Sequence, residues 1–523
     1  MLNDNSYFTI NLFSHLIKYL AIHLIFIIVL IVLNYKDIVK QFKSIKIKTW
    51  ALLFLVLLLA FHLRINSGIA FQPSSETEWE YSSLAKHLTT NSELPYITHL
   101  YGYPFILSIF FKLFGANMFT VFYLNVIIGS LSVLMMFLFS YLIFRKKNIA
   151  LLSALVLSIL PRHIYFSRVG ASENISIFFM LITFIVLVIS VKVNTKKMYL
   201  LAFSLLAYTG EIKAESLVLI GVFFVYFWIN KKSINKRHIA IGLVSFIILS
   251  IPVSYWYIKH DDLKFIINKS AGLDVFELNE NSQYPELGKI SSRIYNIEKF
   301  ISTLFDLSYH NIVILISLIF SFIAFIRKRY AKELIFLFSI VAINLTIYII
   351  AILPSSERYI VMTYPGLIPI IGLGLYCMNA KISNLFSKEY YRKAVFLIII
   401  LGIIFSTFSL TELIVPRAKF YWIEYSDIND IIKSERLIEK NVTIICCGYM
   451  KHCDFLMPNR KVITIDEGKV NIQSSIKNYY IRSGIEEASG CDEDMLRWFI
   501  YKYNLTRVLL SKKLPHIQVF EVN

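Results

Sequence analysis

Long apolar stretches separated by short polar loops recur along most of the sequence. Many of them approach the roughly 20 residues with which an α-helix crosses the hydrocarbon core of a bilayer. The pattern therefore predicts an all-α polytopic membrane protein with about twelve transmembrane helices. The predicted crossings are 9–33, 50–64, 117–144, 149–161, 174–191, 198–211, 216–230, 239–258, 309–326, 333–353, 360–378 and 394–415.

Two apolar segments near the N-terminus need separate interpretation. The first, residues 8–33, is too long for the core of a signal peptide and lacks a small-residue cleavage pattern, so we interpret it as a retained helix. The second, residues 103–114, is too short to cross comfortably. Its aromatic residues favour a position along the membrane interface or dipping into it.

The composition changes after Pro416. Three short, largely apolar runs, 442–445, 461–465 and 507–510, have the pattern of strands. Residues 425–439 and 492–503 have helical periodicity. The tail is therefore predicted to form a small α/β domain of about a hundred residues.

Composition and charge agree with a membrane location. The chain is 57% hydrophobic and 17% charged, whereas a soluble domain carries about a quarter charged residues. The net charge of +18 comes largely from cations in short loops between the predicted helices, so these loops are expected to face the cytoplasm and no nucleic-acid partner is implied. The segments then expected outside are 65–116, 162–173, 211–216, 259–308, 354–359 and the tail after 416.

The five cysteines divide between two environments. Cys377 lies in an apolar run and is interpreted as a core residue. The other four lie in the tail, where an extracytoplasmic location permits disulfides. Their spacing favours a disulfide over a zinc site; they are Cys446, Cys447, Cys453 and Cys491.

An acidic cluster in the first predicted external loop is the clearest candidate for chemistry. Glu76, Glu78 and Glu80 alternate with other residues just before an apolar segment. A carboxylate that faces a cavity there could accept the proton of an attacking hydroxyl or amine. The alternative is a solvated helix start, where acids are favoured by the helix dipole.

Further charged residues lie on the same predicted side, between apolar runs. Charges at such positions are costly, so they usually face a polar cavity or pair with one another. Several converging cations could hold a phosphate group, although any one of them could instead reach the interface as an anchor. The candidates are Arg162, His163, Arg168, Lys213, Glu215, Arg358 and Tyr359.

An ordered series of motifs between about 65 and 375 resembles the GT-C fold lipid-linked sugar transferases, particularly the protein mannosyltransferase and aminoarabinose transferase branch. An acidic loop leads into an aromatic-x3-Ala element, a Tyr-Pro segment and an Asn-bearing helix. A Pro-x-His-x-Tyr-x-Ser-Arg element, an Arg-Pro-Glu-like element and an Arg-Tyr element follow. The matching residues are Tyr81, Ala85, Tyr103, Pro104, 112–115, Asn125, Arg145, Pro161, His163, Tyr165, Ser167, Arg168, 213–215, Arg358, Tyr359 and Pro365.

The resemblance implies a membrane glycosyltransferase that moves a sugar, with inversion, from a polyprenyl-phosphate donor to a glycan, lipid or protein acceptor. Glu78 would be the general base and Glu76 the second candidate, because Thr77 occupies the position where the family commonly has Asp. The cations would stabilise the lipid phosphate. Some family members are assisted by a divalent metal, but no ligand set stands out in this sequence.

The resulting organisation has four parts: two N-terminal helices with a basic loop (1–64), an external loop with the candidate acids (65–116), a helical core with an external loop at 259–308 (117–416), and the external α/β domain (417–523). Two alternatives stay open, a lipid or polysaccharide transporter or flippase and a non-catalytic GT-C-like protein. The interior of the predicted helices looks nearly free of ionisable groups, which argues against a transport pathway.

Overall fold

A computed structural model describes residues 4–66, 76–90, 100–259, 312–350 and 360–385, positions 390, 391 and 394, and five strands near the C-terminus. Two 3-10 turns, Ala214–Leu219 and Ile360–Thr363, precede the helices that begin at Ile220 and Tyr364. The helices are α1 Asp4–Leu33, α2 Tyr35–Lys40, α3 Ile47–Asn66, α4 Glu76–Thr90, α5 Gly102–Phe114, α6 Met118–Phe144, α7 Lys147–Ile159, α8 Pro161–Phe166, α9 Ser172–Val193, α10 Lys196–Ile212, α11 Ile220–Ile229, α12 Lys236–Lys259, α13 Ile312–Ile326, α14 Ala331–Ile350 and α15 Tyr364–Leu385.

The predicted crossings coincide with described helical segments, with ends that differ by a few residues, except for 394–415, which lies outside the described residues apart from position 394. Several helices are apolar, and the chain is a multi-pass membrane protein. Four helices in the described part are long and apolar enough to cross a bilayer. They are Ile47–Ile65, Phe119–Phe144, Ser172–Val193 and Ile360–Ile382. The total of twelve crossings stays a prediction.

The segment predicted as an acidic external loop contains two helices. α4 carries the acidic cluster in its first turns, and α5 matches the short apolar segment expected near the interface. One side of α5 is buried, including Tyr103 and Phe111, while Leu113 and Phe114 are exposed. The predicted external loop 259–308 lies outside the described residues.

Local sequence signals set several helix ends. The Asn117 side chain accepts a hydrogen bond from the Thr120 N–H at 3.0 Å and caps the start of α6. Arg145 and Asn194 adopt left-handed backbone conformations that end α6 and α9. Pro161 begins α8, where its missing N–H leaves no intrahelical bond unmade.

The basic loops meet at one end of the helical bundle, hereafter the basic end. The Arg145 guanidinium donates to the side chain of Gln41 at 2.9 Å and to its carbonyl at 3.2 Å. The Lys192 ammonium donates to the Leu142 carbonyl at 2.7 Å. These contacts join the loop before α3 to the loop before α7, and the C-terminal end of α9 to the end of α6. Such contacts are expected if the basic loops lie on one face of the membrane.

The opposite end of the bundle, hereafter the site end, gathers the remaining polar elements. Along α6, Asn125 and the C-cap Arg145 are separated by a rise of about 30 Å, which matches the thickness of a hydrocarbon core. α9 runs from Glu173 at the site end to Lys192 at the basic end. The same helices therefore connect two chemically different ends.

Glycines on α15 permit close packing of the core. A Cβ at Gly372 would collide with Ser153 of α7, and one at Gly374 would collide with the backbone of Ser317 of α13. Small residues at such crossings let helix backbones approach in lipid. α15 is thus held between α7 and α13.

The tail contains a five-stranded sheet with strand order β2-β1-β3-β5-β4. The β2, β1 and β3 strands are parallel, whereas β5 pairs antiparallel with β3 and β4. The strands are β1 Thr443–Cys447, β2 Lys461–Ile465, β3 Asn478–Arg482, β4 Thr506–Leu510 and β5 Gln518–Val522. The three predicted strands are confirmed. The helices expected at 425–439 and 492–503 lie outside the described residues, so the α/β character stays a prediction.

Substitution of Gly374 by Ala is expected to destabilise the bundle, because the added methyl group meets backbone that cannot move aside. Overpacking of this kind costs about 1–3 kcal/mol. The readout is the apparent Tm of the purified protein in detergent, followed by circular dichroism. Gly221→Ala is the control, since its Cβ would approach only the flexible end of Ile343 at 3.1 Å. Equal Tm values for the two variants would contradict the assigned α13–α15 contact.

Candidate functional site at one end of the bundle

Helix α4 contains the candidate acids at its start. It begins at Glu76, so Glu76 and Glu78 both lie in its first turn, where the helix dipole favours acids. The next six residues, 81–86, are all buried. Position 78 lies about 4.5 Å along the helix axis from Tyr81. The acidic turn is therefore directly continuous with an enclosed part of the helix.

Tyr81 fixes this part of α4 against two other helices. Its hydroxyl donates to the Ser172 hydroxyl at 3.1 Å, and its ring packs edge-on against Tyr103 with centroids 5.3 Å apart. Tyr81 and Tyr103 are both buried. The aromatic residue of the first motif thus joins the Tyr-Pro motif of α5 and the start of α9.

A chain of hydrogen bonds continues from Tyr103 through the bundle. The Asn125 amide donates to the Tyr103 hydroxyl at 2.9 Å, and the Asn174 amide donates to the Asn125 carbonyl at 2.8 Å. The Ser167 hydroxyl lies 3.3 Å from the Asn174 amide oxygen. Because buried polar groups are costly without partners, these contacts fix the relative positions of α5, α6 and α9.

Next to Asn174 lies a buried ion pair. The Lys213 ammonium is 2.9 Å from a Glu173 carboxylate oxygen, and the two side chains are 9% and 2% exposed. Lys213 is the residue that ends α10, in extended backbone, and Glu173 is in the first turn of α9. The pair joins two helix ends across the site.

A second buried cation comes from α3. Arg64 is fully buried, and its guanidinium donates to the carbonyls of Ala60 at 2.7 Å and Ser158 at 3.3 Å. It also donates to Nδ1 of His163 at 2.6 Å. Among the described residues, all three of these acceptors are uncharged when His163 is neutral. Arg64 therefore adds a positive potential that no adjacent described carboxylate cancels.

The protonation of this region follows from burial. Burial first, and then the adjacent Arg64 charge, hold the pKa of His163 well below its usual value, against a smaller opposing effect of the Leu157 backbone. Neutral His163 can accept from Arg64, which only donates. Burial lowers the pKa of Arg168 to about 10, so that guanidinium stays charged at neutral pH.

The structure brings together several of the predicted site residues. His163, Arg168 and Lys213 are buried at the site end, and Arg162 is half-buried on α8. Glu215 lies in the 3-10 turn after Lys213, where the backbone alone is described. Arg358 and Tyr359 lie outside the described residues. The roles assigned to all of these residues stay predictions.

Sequence reasoning missed three contributors. Arg64 is the last residue of the predicted crossing 50–64. A lone cation at the end of an apolar run is itself a sign of a functional site. Lys86 is buried on the acidic helix α4, and Asn174 joins α9 to α6. Neither residue stands out from the sequence pattern.

The described helices enclose an ionisable pair that the sequence pattern does not reveal. His23 of α1 and Glu211 of α10 are both buried, with Nδ1 and a carboxylate oxygen 3.0 Å apart. Tyr19 donates to the same carboxylate oxygen at 3.1 Å, and His23 Nε2 contacts the Ser204 carbonyl at 3.1 Å. The sequence of α1 is apolar overall, but the face of α1 that packs against α10 carries polar side chains.

The described residues provide no ligand set for the divalent metal that some family members use. Within the part of the chain that the structure describes, no three His, Cys, Asp or Glu side chains come together as a metal site would require.

A family model of dolichyl-phosphate-mannose-protein mannosyltransferases matches residues 99–256. This range runs from α5 into α12 and contains most of the site described above, including Asn125, His163 and Lys213. No curated protein sequence matches the chain.

Solved structures share its architecture. ArnT from Cupriavidus metallidurans bound to undecaprenyl phosphate aligns with 91% of this chain and 99% of its own, with a TM-score of 0.58 and 11% identity. The apo oligosaccharyltransferase of Archaeoglobus fulgidus aligns with 86% of this chain and 71% of its own, with a TM-score of 0.55 and 13% identity. Both are GT-C fold glycosyltransferases. The chain has the GT-C fold.

The apo structure of the same ArnT gives a similar match, covering 90% of this chain and 97% of its own with a TM-score of 0.58 and 11% identity. At this identity the likeness concerns the fold. The GT-C resemblance inferred from motif order is confirmed at that level.

Removal of one partner of the Glu173–Lys213 pair is expected to cost more than removal of both. Lys213→Met leaves a buried carboxylate without this cation, at a cost of about 3–5 kcal/mol. Glu173→Gln/Lys213→Met should recover most of that loss. Apparent Tm values of both single variants, the double variant and the exposed-site control Lys231→Met test this, and strictly additive losses would rule out the coupling.

Acid is expected to destabilise the fold through His163. The unfolded chain takes up a proton on His163 near its ordinary pKa of about 6.5, whereas the folded chain resists until far lower pH. This contribution to stability is complete above pH 7 and is lost as the pH falls below about 6.5, by about 1.4 kcal/mol per pH unit. His163→Gln should show a smaller fall in Tm between pH 7.5 and 5.5, and the exposed-site variant His62→Gln should match wild type. Parallel pH profiles for wild type and His163→Gln would contradict the buried neutral state.

Proposed function

We propose that this protein is a membrane glycosyltransferase that moves a sugar from a polyprenyl-phosphate donor to an acceptor at the extracytoplasmic face. The site end lies opposite the basic end. Since cytoplasmic loops carry the excess of Lys and Arg, the site end is assigned to the extracytoplasmic side.

The comparisons support a donor of this class. ArnT, which shares the fold over nearly its whole length, is bound to undecaprenyl phosphate in its crystal structure. The matching family model describes dolichyl-phosphate-mannose-protein mannosyltransferases. In both cases a polyprenyl phosphate is associated with the protein or its family. We propose that this chain likewise uses a polyprenyl-phosphate-linked sugar as its donor.

One observation carries the proposal: α4, which begins with the acidic turn, is fastened at Tyr81 to the elements that hold the buried cations. Tyr81 links α4 to Ser172 at the start of α9. The next residue, Glu173, pairs with Lys213. A base and a phosphate site supplied by different helices are the minimal requirements of the proposed transfer.

In the proposed reaction, a hydroxyl or amine of the acceptor attacks the anomeric carbon as the bond from that carbon to the phosphate oxygen breaks. Glu78, or Glu76 in its place, takes the proton of the nucleophile. The bonding electrons leave with the phosphate, whose growing charge is stabilised by Arg168, Lys213 and the positive potential of Arg64. One displacement inverts the anomeric centre. The acceptor is a glycan, lipid or protein.

A transporter or flippase is the competing function. The buried His23–Glu211 pair supplies a titratable group inside the helices, as a coupled transporter requires. Its atoms are enclosed between α1 and α10, and a shared fold with ArnT favours transfer. Sugar transfer to an acceptor by the purified protein would separate the two functions.

Glu78→Gln is expected to lower the transfer rate by about 10²–10⁴-fold, because the amide cannot accept the proton. The assay follows radiolabelled sugar from undecaprenyl-phosphate donors into a cell-envelope acceptor fraction. Glu76→Gln tests the second candidate, and Glu80→Gln on the same helix is the matched control. Normal transfer by Glu78→Gln, Glu76→Gln and the double variant would disprove the proposed base.

Arg168→Gln is expected to weaken binding of undecaprenyl phosphate by about tenfold or more, since a buried charge-assisted contact is lost. Native mass spectrometry of the purified protein measures this without an acceptor. Unchanged binding, with unchanged Tm, would remove Arg168 from the phosphate site.

A further inference from the structure

An apolar groove lies on the bundle between α3, α7 and α15, away from the polar network. Its volume is about 540 Å³, within the range of lipid- and ligand-sized sites. On α3 it is lined by Leu52, Leu55 and Leu59, and on α7 by Leu151 and Leu155. These leucines recur at helical spacing, so they form apolar strips that extend for about 10 Å along α3 and about 6 Å along α7.

The groove is accessible from the surroundings of the protein. Leu52 and Leu55 are 53% and 60% exposed. Its wall is almost entirely aliphatic along the α3 and α7 strips. Such a surface fits a flexible hydrocarbon chain lying parallel to the helices better than a polar solute.

One end of the groove is polar. Asn148 lies in the first turn of α7, and Tyr376 and Asn379 lie near the end of α15. Two amides and a hydroxyl on a lipid-facing wall need hydrogen-bond partners, because the hydrocarbon of the bilayer offers none and an unpaired polar group there is costly. These groups therefore mark the level of a head group rather than that of a chain.

The same end is strongly basic. Lys146 and Lys147 directly precede Asn148, Lys48 lies one turn before Leu52, and Lys381 follows Asn379 by two residues. All four lysines are exposed. The bonds from Arg145 to Gln41 hold the loop before α3 beside the start of α7, so these charges are fixed together around the polar end. Basic pockets between membrane helices on the cytoplasmic side suit anionic head groups.

We infer that this groove binds one acyl chain of an anionic phospholipid from the leaflet at the basic end. The aliphatic strips hold the chain, Asn148 and Asn379 contact the ester and glycerol oxygens, and the lysines neutralise the phosphate. The site is separate from the proposed donor site, because Leu59 is still five residues short of Arg64 on α3.

The polyprenyl tail of the donor is the competing occupant. Such a tail is hydrocarbon throughout, and it gives no partner to the amides and lysines at the basic end. Its phosphate would instead lie at the site end. Charge complementarity therefore favours the phospholipid.

Native mass spectrometry of the detergent-purified full chain tests the inference with three probes: phosphatidylglycerol, phosphatidylcholine and undecaprenyl phosphate. Wild type is expected to bind one phosphatidylglycerol in preference to phosphatidylcholine. Leu55→Trp, which fills the groove, should abolish this binding, whereas Leu58→Trp, an exposed position on the same helix that does not line the groove, should preserve it.

Lys146→Gln/Lys147→Gln should weaken phosphatidylglycerol binding by roughly thirtyfold, since each of the two lysines near the head group is expected to strengthen binding by about fivefold. Lys231→Gln/Lys232→Gln, an exposed pair on another loop, is the charge-matched control and should bind as wild type. Apparent Tm values confirm that each variant folds.

Three results would overturn the inference. One is equal binding of phosphatidylglycerol and phosphatidylcholine by wild type. Another is equal phosphatidylglycerol binding by Leu55→Trp and Leu58→Trp. The third is loss of undecaprenyl phosphate, rather than phosphatidylglycerol, from Leu55→Trp, which would assign the groove to the donor tail.

Discussion

A charge enclosed among apolar helices has no water to solvate it, and the site end is built around this constraint. Arg64 can be buried because α7 ends where its Ser158 carbonyl meets the guanidinium, and α8 then turns His163 onto the same group. That turn also brings Ser167 to Asn174. The network that positions the candidate site thus begins with the enclosure of one cation.

The same constraint explains why the polar groups form connected sets. Lys213 ends the helical course of α10 beside Glu173 in the first turn of α9. On the other side of α10, Glu211 meets His23 and Tyr19 of α1. Two buried carboxylates on neighbouring elements therefore fasten different helices, and the end of α10 is held from both sides. A site assembled in this way has little freedom to change shape without breaking a buried pair.

Much of the fold could be predicted from the sequence because crossing length and charge placement are properties of the chain itself. The run 174–191 needs only its own residues to predict α9, and Arg145 marks the basic end by its loop. Pairings between distant residues are different. Nothing in the α1 sequence shows that His23 meets Glu211, since helical spacing gives a face but not the helix that covers it. The order of the motifs predicts that Tyr81, Tyr103 and Asn125 lie near one another only by analogy with the resembling family. Arg64 follows a long apolar run, and no motif marks it as a site residue.

A fold shared with ArnT at 11% identity is consistent with these requirements. Lipid accepts any apolar side chain, so most positions on the helices are free to vary. The positions with little freedom are few: small residues where backbones touch, such as Gly374, and polar residues whose partners lie on other helices. The proposed chemistry at the site end and the proposed lipid groove near the basic end use different stretches of α3 and α7, since Arg64 and Ser158 meet beyond the residues that line the groove.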